Sequence, residues 1–128
     1  MVAVKPVNDV ELIKKLYAEH NIEYTENANA VSAVENGEMV GSGLFTLIDG
    51  TLTLLSVKYP KSDLFVCDLI SRGVMNYGVN RGVLYCELGE NAPFAEFVAF
   101  GFIKSKEETS VNIIRTFTQC THCDKSKS

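Results

Sequence analysis

A Cys-x-x-Cys motif near the carboxyl terminus, Cys120-Thr121-His122-Cys123, has the residue types and spacing that most directly suggest chemistry. Two thiolates at this spacing can bind one zinc ion, but a complete site needs two further ligands and the sequence has no second such motif. The same spacing occurs in redox-active dithiols, which normally lie at a helix N-terminus that lowers the thiol pKa. Three interpretations therefore stay open: a metal ligand pair, for example between two chains, a redox or disulfide pair, and cysteines without a specific role.

The remaining cysteines and histidines give weaker signals. Cys67 and Cys86 fall in apolar segments, where a free cysteine usually packs as a small apolar residue, so Cys86 as an acyl nucleophile is the less favoured interpretation. His20 and His122 lie near the ends of their segments, a placement that does not favour a Ser–His–Asp arrangement. The sequence also lacks the motifs G-x-x-x-x-G-K-S/T, G-x-G-x-x-G and H-E-x-x-H.

The composition is that of one globular domain with a real core. The chain has 128 residues, of which 46% are hydrophobic and 22% charged. Its net charge of −4 is opposite in sign to that of a typical nucleic-acid-binding protein. No apolar run approaches the ~18 residues that cross a bilayer, and the first residues do not resemble an export signal. We therefore expect a cytoplasmic protein with no nucleic-acid or membrane partner and reduced cysteines, made of one domain over residues 1–119 and a polar tail over 120–128.

The first half of the chain is predicted to form one helix and a three-stranded meander. Apolar residues recur at helical spacing over Asn8–His20, with Asn8 as the predicted N-cap. Asn36-Gly37 and Asp49-Gly50 are typical of type I′ turns, because Asn, Asp and Gly tolerate positive φ angles. The three predicted strands cover about residues 30–34, 39–48 and 51–58. Gly41 and Gly43 fall inside the middle strand and predict a bulge or the close approach of another backbone.

The second half of the chain is predicted to alternate helices and strands. A helix over Asp63–Arg81 precedes Val83–Leu88, whose nearly continuous apolar character predicts a strand buried on both faces and parallel to an earlier one. A short helix over Phe94–Phe100 and a final strand over Ser110–Thr118 complete the order. This order predicts an α/β (α+β) fold, with a mixed central sheet flanked by helices on both faces.

Several of these segments resemble the GNAT-type superfamily of N-acetyltransferases in their order and spacing. ENGEMVGSG resembles its E-D/N-G-x-x-V-G hairpin, and DGTLTLLSVKYP resembles the strand ending in L-x-V-x-P that carries the pantetheine of acetyl-CoA. The helix that ends at Arg81-Gly82 resembles the pyrophosphate-side helix, and Asn91 through Ile103 resembles the N…Y-x-x-x-G-F helix and its exit. The resemblance covers roughly residues 30–103 and implies an acyl-CoA N-acyltransferase-like fold with acetyl-CoA as cofactor.

The resemblance implies two stretches that contact acetyl-CoA. The first is Leu55, Ser56 and Val57 in the third strand of the meander. The second is the turn where the family binds pyrophosphate, because glycines there let backbone N–H groups converge on phosphate oxygens at a helix N-terminus. In this sequence the turn contains no glycine and consists of Lys61, Ser62, Asp63, Leu64, Phe65 and Val66. Asp63 as a simple N-cap is the alternative interpretation of its position.

The resemblance also implies positions for an acid and a base. Phe97 stands where the family's tyrosine often protonates the leaving thiolate, and Asn91 lies one residue beyond the position of its asparagine, so both are expected to border the cofactor. Tyr85 is the substitute acid, with a buried core tyrosine as the alternative. Residues 51–58 contain no acidic side chain, whereas Glu87 falls near the carboxyl end of a parallel strand, where ligands bind in open α/β sheets. Glu87 is therefore the predicted base, with Glu38 in the hairpin as a weaker choice and a relay through water as a further alternative.

Two functions of different classes follow from these residues. The first is an N-acetyltransferase that moves an acetyl group from acetyl-CoA to an amine of a small molecule or peptide, mainly by positioning. The second is a catalytically degenerate binding or regulatory protein of the same fold, which the missing glycines and tyrosine favour. A homodimer with the Cys-x-x-Cys tail at its interface is a third hypothesis. The loop Pro60–Val66 discriminates between the first two, because Leu64 and Phe65 would exclude acetyl-CoA if they filled the cleft.

Overall fold

A computed structural model describes residues 1–118 as a six-stranded mixed sheet with a helix on each face. Neighbouring strands of the sheet follow chain order, and only β4 and β5 pair in parallel among the described strands. The elements are β1 Val2–Pro6, α1 Val10–His20, β2 Ala28–Glu35, β3 Glu38–Ile48, β4 Thr51–Lys58, α2 Leu64–Val79, β5 Tyr85–Leu88, α3 Phe94–Phe100, β6 Ser110–Asn112 and α4 Ile113–Thr118. The mixed sheet, the helices on both faces and the parallel crossover are confirmed. Cys120 and Cys123 lie outside the described residues.

Two elements differ from the sequence prediction at the ends of the described chain. β1 was not predicted, because only Val2 and Val4 alternate toward the core and two apolar positions give little signal. The predicted last strand is wrong beyond Asn112, where helix α4 begins. The side-chain oxygen of Asn112 accepts a hydrogen bond from the backbone N–H of Arg115 at 3.0 Å, so Asn112 caps this helix and ends the strand.

Helix α1 covers one face of the sheet over β2, β3 and β4. Its N-cap is Asp9 rather than the predicted Asn8, since the Asp9 carboxylate accepts from the Glu11 N–H at 3.0 Å. It ends at His20 as predicted, with Asn21 in the left-handed conformation at φ 63°. Tyr17 anchors the helix by donating a hydrogen bond to the Phe45 carbonyl oxygen at 2.9 Å, and burial raises the pKa of its hydroxyl to about 12.

Helix α2 packs against the other face and forms the larger core with β1 to β4. The two glycines of β3 permit this contact, because a Cβ on Gly43 would lie 2.6 Å from Ile70 Cγ2 and one on Gly41 would lie 2.8 Å from Ile70 Cδ1. Both predicted features occur: the register between β2 and β3 shifts beside Gly41, and a Cβ on Gly41 would also lie 2.7 Å from the carbonyl oxygen of Lys58. Among the described helices none is both long and apolar enough to span a bilayer.

Strand β5 is buried on one face only, which corrects the prediction that both faces are covered. Cys86 and Leu88 point into the core beneath α2, whereas Tyr85 is 54% exposed on the other side. Helix α1 contacts β2, β3 and β4 but does not extend over β5. The sheet therefore presents an open surface on the α1 side of β5 and β6.

Candidate functional site

The parallel strands β4 and β5 separate halfway along β4. Their ladder runs from Leu52 opposite Cys86 to Leu54 opposite Leu88, and the Gly89 N–H donates to the Leu54 carbonyl oxygen at 2.9 Å. Beyond this point residues 56–58 of β4 pair with β3, and residues 55–58 have no ladder partner in β5. The separation leaves one backbone edge of β4 outside the β4–β5 ladder, at the carboxyl ends of the two strands.

A bulge marks the place where the strands begin to separate. Leu44 of β3 lies opposite Ser56, and its neighbour Phe45 lies opposite Leu54, so Leu55 is the extra residue of β4. A bulge redirects the side chains that follow it and bends the strand. Here it places both Leu55 and Ser56 on the α1 side of the sheet, where Leu55 packs against the α1 core. The structure thus brings the predicted stretch 55–57 to the edge of a cleft between β4 and β5.

The predicted pyrophosphate turn lies at the end of this cleft, before helix α2. Leu64 and Phe65 are 46% and 61% exposed, so neither side chain is packed into the protein interior. Val66 is fully buried in the α2 core instead. Asp63 occupies the N-cap position of α2 but its side chain makes no capping hydrogen bond. Lys61 places its ammonium group 4.7 Å from the centre of the Tyr59 ring.

Tyr59 and Glu96 join the two sides of the cleft. Tyr59 follows β4, Glu96 belongs to α3 after β5, and the Tyr59 hydroxyl donates a hydrogen bond to Glu96 Oε2. Burial and the neighbouring carboxylate raise the pKa of this hydroxyl above its usual range. Asn91 is exposed before α3, whereas Phe97 has no exposed surface and packs edge-to-face on Phe102, with ring centres 5.0 Å apart.

The predicted base and acid lie on the open side of β5. Glu87 is opposite Thr53 of β4 and opposite Ser110 of β6, one pair before the strands separate. The Ser110 hydroxyl donates to Glu87 Oε2 at 3.1 Å and orients the half-buried carboxylate. Tyr85 lies two residues earlier on the same side and is exposed, so the alternative of a buried core tyrosine is wrong. The two cysteines of the described chain, Cys67 and Cys86, are buried, and burial raises the pKa of each thiol to about 12.

His20 is a site residue that the sequence analysis missed. Its Nδ1 lies 2.9 Å from the hydroxyl of Ser56 and its Nε2 lies 2.7 Å from that of Ser42. Burial, and secondarily the positive charge of Lys58, lower the pKa of the imidazole to about 4. The available signal was that His20 follows Leu16 by four residues, so it continues the buried stripe of α1.

Comparison with known proteins identifies the fold. No family model and no curated protein matches the sequence. Among solved structures, the ribosomal-protein-S18-alanine N-acetyltransferase from Escherichia coli matches with a TM-score of 0.58 at 16% identity, over 80% of this chain and 78% of that one. The Escherichia coli protein YhhK, solved with coenzyme A bound, matches with a TM-score of 0.58 at 13% identity, over 88% of this chain and 98% of that one.

A third match agrees with these two. It is a Desulfovibrio desulfuricans protein described as a GNAT-family acetyltransferase, with a TM-score of 0.52 at 13% identity, over 69% of this chain and 72% of that one. At such identities the likeness establishes the fold alone. The chain therefore has the GNAT acyl-CoA N-acyltransferase fold that its sequence resembles.

Proposed function

We propose that this protein is an N-acetyltransferase that uses acetyl-CoA and acts on an amine of a small molecule or peptide. The observation that carries the proposal is the separation of β4 from β5 at the Leu55 bulge. This separation exposes the edge of a strand to a ligand without unfolding the sheet, because β3 still supports the same strand from its other side. A protein that binds a ligand without turnover does not need an unpaired strand edge beside the Glu87 carboxylate, which Ser110 orients.

The backbone beyond the bulge is suited to hold an acyl thioester. When bound, acetyl-CoA supplies an activated acetyl group. Residues 55–57 of β4 present backbone N–H and C=O groups toward the cleft, and an N–H aimed at the thioester carbonyl oxygen would stabilise the negative charge that develops there. Leu55 and Val57 lend apolar surface beside these groups. Because the backbone supplies the contact, it does not depend on a particular side chain.

The pyrophosphate would rely on a helix terminus instead of a glycine-rich turn. Helix α2 has 16 residues and carries no acidic residue in its first turn after the N-cap. Its free N–H groups and dipole favour an anion there. Lys61 and Ser62 are exposed beside this terminus and supply a positive charge and a hydroxyl. Asp63 opposes binding by its charge, so we expect weaker affinity than a glycine-rich turn gives.

Glu87 is suited to attract the acceptor. Its carboxylate is oriented by Ser110 and lies on the open side of the sheet, one residue pair from the point where the strands separate. An amine approaching from that side would meet a negative charge before it reaches the thioester. A half-buried carboxylate attracts an ammonium group more strongly than one in bulk water, because the local dielectric constant is lower.

One observation favours the second candidate, a protein of the same fold without turnover. The hydrogen bond from Tyr59 to Glu96 ties the residue after β4 to helix α3 and closes the open end of the cleft. If this contact persists, pantetheine cannot pass between the two sides. The exposure of Leu64 and Phe65 supports the transferase, because these two side chains were the ones expected to block the cleft and neither is buried.

Titration calorimetry with acetyl-CoA on reduced, metal-stripped protein tests the proposal first. We expect binding in the micromolar range, followed by acetylation of at least one amine in a panel of peptide N-termini, lysine peptides and polyamines. Release of CoA should be followed by chromatography, since a thiol reagent would also react with the protein's four cysteines. No binding at millimolar acetyl-CoA would leave the second candidate.

Matched variants link turnover to the site. Glu87→Gln should lower kcat/KM for a cationic acceptor by about tenfold, because it removes the charge and keeps the shape. Glu107→Gln makes the same change of charge at an exposed loop residue and should leave the kinetics unchanged. If both variants lowered kcat/KM equally, the overall charge of the protein would explain the effect, and Glu87 would have no specific role in attracting the acceptor.

A further inference from the structure

His20 joins two strands through both of its ring nitrogens. It is the last residue of α1, and it lies over β3 and β4 with Ser42 and Ser56 at 2.7 and 2.9 Å. A histidine at the end of a helix commonly interacts with the last carbonyl groups of its own helix. This one is directed across the sheet instead, onto two hydroxyl groups from different strands, and needs an explanation beyond helix capping.

We propose that Ser56 and His20 form a proton relay for the acceptor amine, with Ser42 holding the far nitrogen of the imidazole. The inference rests on the proposed transferase function. Ser56 follows the bulge residue Leu55 directly and faces the same side of the sheet as Glu87. A hydroxyl at that place is next to the backbone that would hold the thioester, on the side from which the amine approaches.

The relay requires one tautomer of a neutral imidazole. In that tautomer Nδ1 accepts the Ser56 hydroxyl proton, and the Nε2–H group donates to the Ser42 oxygen. The charged groups around the ring are Lys58 from β4, which disfavours protonation, and Glu19 from α1, which favours it less strongly, while β3 contributes the uncharged Ser42. At a pKa of about 4 the ring is unprotonated at neutral pH and has the basicity of an ordinary carboxylate, whose pKa is about 4.3.

Every proton in the proposed step can be assigned to a group of the site or to water. The acceptor reacts as the neutral amine, after its ammonium form has lost one proton to water. As the amine nitrogen bonds to the acetyl carbon, it passes a proton to Ser56 Oγ, and the Ser56 hydroxyl proton moves to His20 Nδ1. The bond between carbon and sulfur breaks, and the leaving sulfur becomes the thiol by taking up the proton that the imidazolium gives back, either through Ser56 or by exchange with water in the cavity of about 290 Å³ that Ser42, Lys58 and Glu19 line. No oxidant, reductant or metal is needed.

The first test reads the tautomer and needs no turnover. Nitrogen-15 spectra of the imidazole should show a protonated Nε2 and a bare Nδ1 in the wild type at pH 7. Ser56→Ala should remove the change in nitrogen-15 chemical shift that the hydrogen bond causes at Nδ1 and leave the chemical shift of Nε2 unchanged. Ser42→Ala should change the chemical shift of Nε2 and leave that of Nδ1 unchanged. A protonated Nδ1 in the wild type would overturn the relay whatever the protein's activity.

The second test measures kcat for an amine from the panel. His20→Asn and Ser56→Ala should each lower kcat at least tenfold, within the range of about 10²–10⁴ typical of acid–base catalysis, and leave the Kd for acetyl-CoA unchanged. Both variants should lose the acid limb of the wild-type pH profile. Lys15→Gln, on the exposed side of the same helix, should behave as the wild type.

The outcomes separate the two proposals. If the wild type turns over and His20→Asn matches its kcat and pH profile, the relay is wrong and the transferase stands. If folded wild type binds acetyl-CoA but acetylates no amine, both fall. If His20→Asn loses acetyl-CoA affinity in proportion to activity, His20 supports the fold of β4 and the relay is again wrong.

Discussion

The hydroxyl of Tyr59 donates a hydrogen bond to the carboxylate of Glu96 across the open end of the cleft between β4 and β5. The two residues lie 37 positions apart in sequence, and each follows one of the two strands that separate. Tyr59 is also nearly buried beside Val66 and Cys67, so its ring belongs to the core while its hydroxyl lies at the cleft. The contact therefore links the chain just after β4 to helix α3, beside the part of β4 that has no partner in β5.

Tyr59→Phe should tighten acetyl-CoA binding while it weakens the fold. The variant keeps the ring in the core and removes the donor, and a hydrogen bond to a charged acceptor is worth about 1.5–3 kcal/mol. A ligand that binds only the open form gains affinity when the closed form loses a contact, so we expect an increase of roughly 3–10-fold. Calorimetry gives the affinity, and urea unfolding gives the free energy of unfolding.

Tyr24→Phe is the matched control, because Tyr24 packs on the α1 side of the sheet, away from this contact. It should leave acetyl-CoA affinity unchanged. A Tyr59→Phe protein that is less stable but binds acetyl-CoA no better would mean that the contact does not obstruct the cofactor's path.

The stability of the protein should fall in mild acid because of His20. Its pKa is about 4 in the folded protein and 6.5 in an unfolded chain, so the unfolded state binds the proton more readily. Stability from this group is therefore fully present above pH 6.5 and is lost as the pH falls toward 4. The total loss is at most about 3 kcal/mol, and solvent screening of the half-buried ring reduces it.

Urea unfolding at several pH values between 7 and 4 checks this expectation. The difference in unfolding free energy between wild type and His20→Asn isolates the group, since all other titrating residues are common to both. That difference should shrink as the pH is lowered. A difference that stays constant from pH 7 to 4 would contradict the lowered pKa.

Gly43→Ala should destabilise the contact between β3 and α2. The new Cβ would lie 2.6 Å from Ile70 Cγ2, so strand or helix must shift, at a cost of about 1–3 kcal/mol. In an Ile70→Ala background the same change should cost much less, because the clashing atoms are gone. A double-mutant cycle on unfolding free energies measures this coupling, and additive effects would show that Ile70 is not what glycine accommodates.

The sequence predicts a helix, strand or turn correctly where the local residue preference agrees with the conformation that the fold needs at that place. The turns at Asn36-Gly37 and Asp49-Gly50 were found because their positive φ angles select those residues. The end of β6 was missed because Asn112 caps a helix with its side chain, and the apolar residues beyond it fit a strand equally well.

The site was harder to read, because its contacts join residues far apart in the chain. Glu87 could be proposed from its place at the end of a parallel strand. The pairing of His20 with Ser42 and Ser56 depends on how α1, β3 and β4 are aligned. The pairing of Tyr59 with Glu96 depends on the crossover from β4 through α2 to β5, which α3 follows. No spacing within one segment encodes either arrangement.

Phe97→Tyr should lower stability without adding activity. The ring has no exposed surface and is enclosed by Phe100 and Phe102, with centres 6.4 and 5.0 Å away. A hydroxyl added to this aromatic cluster loses its water without gaining an evident partner, which costs about 1–3 kcal/mol. Urea unfolding should show this loss, and kcat for the best amine should not rise. If the variant instead keeps its stability and its kcat increases, the side chain at this position reaches the cleft, and Phe97 marks a missing catalytic hydroxyl rather than a residue of the core.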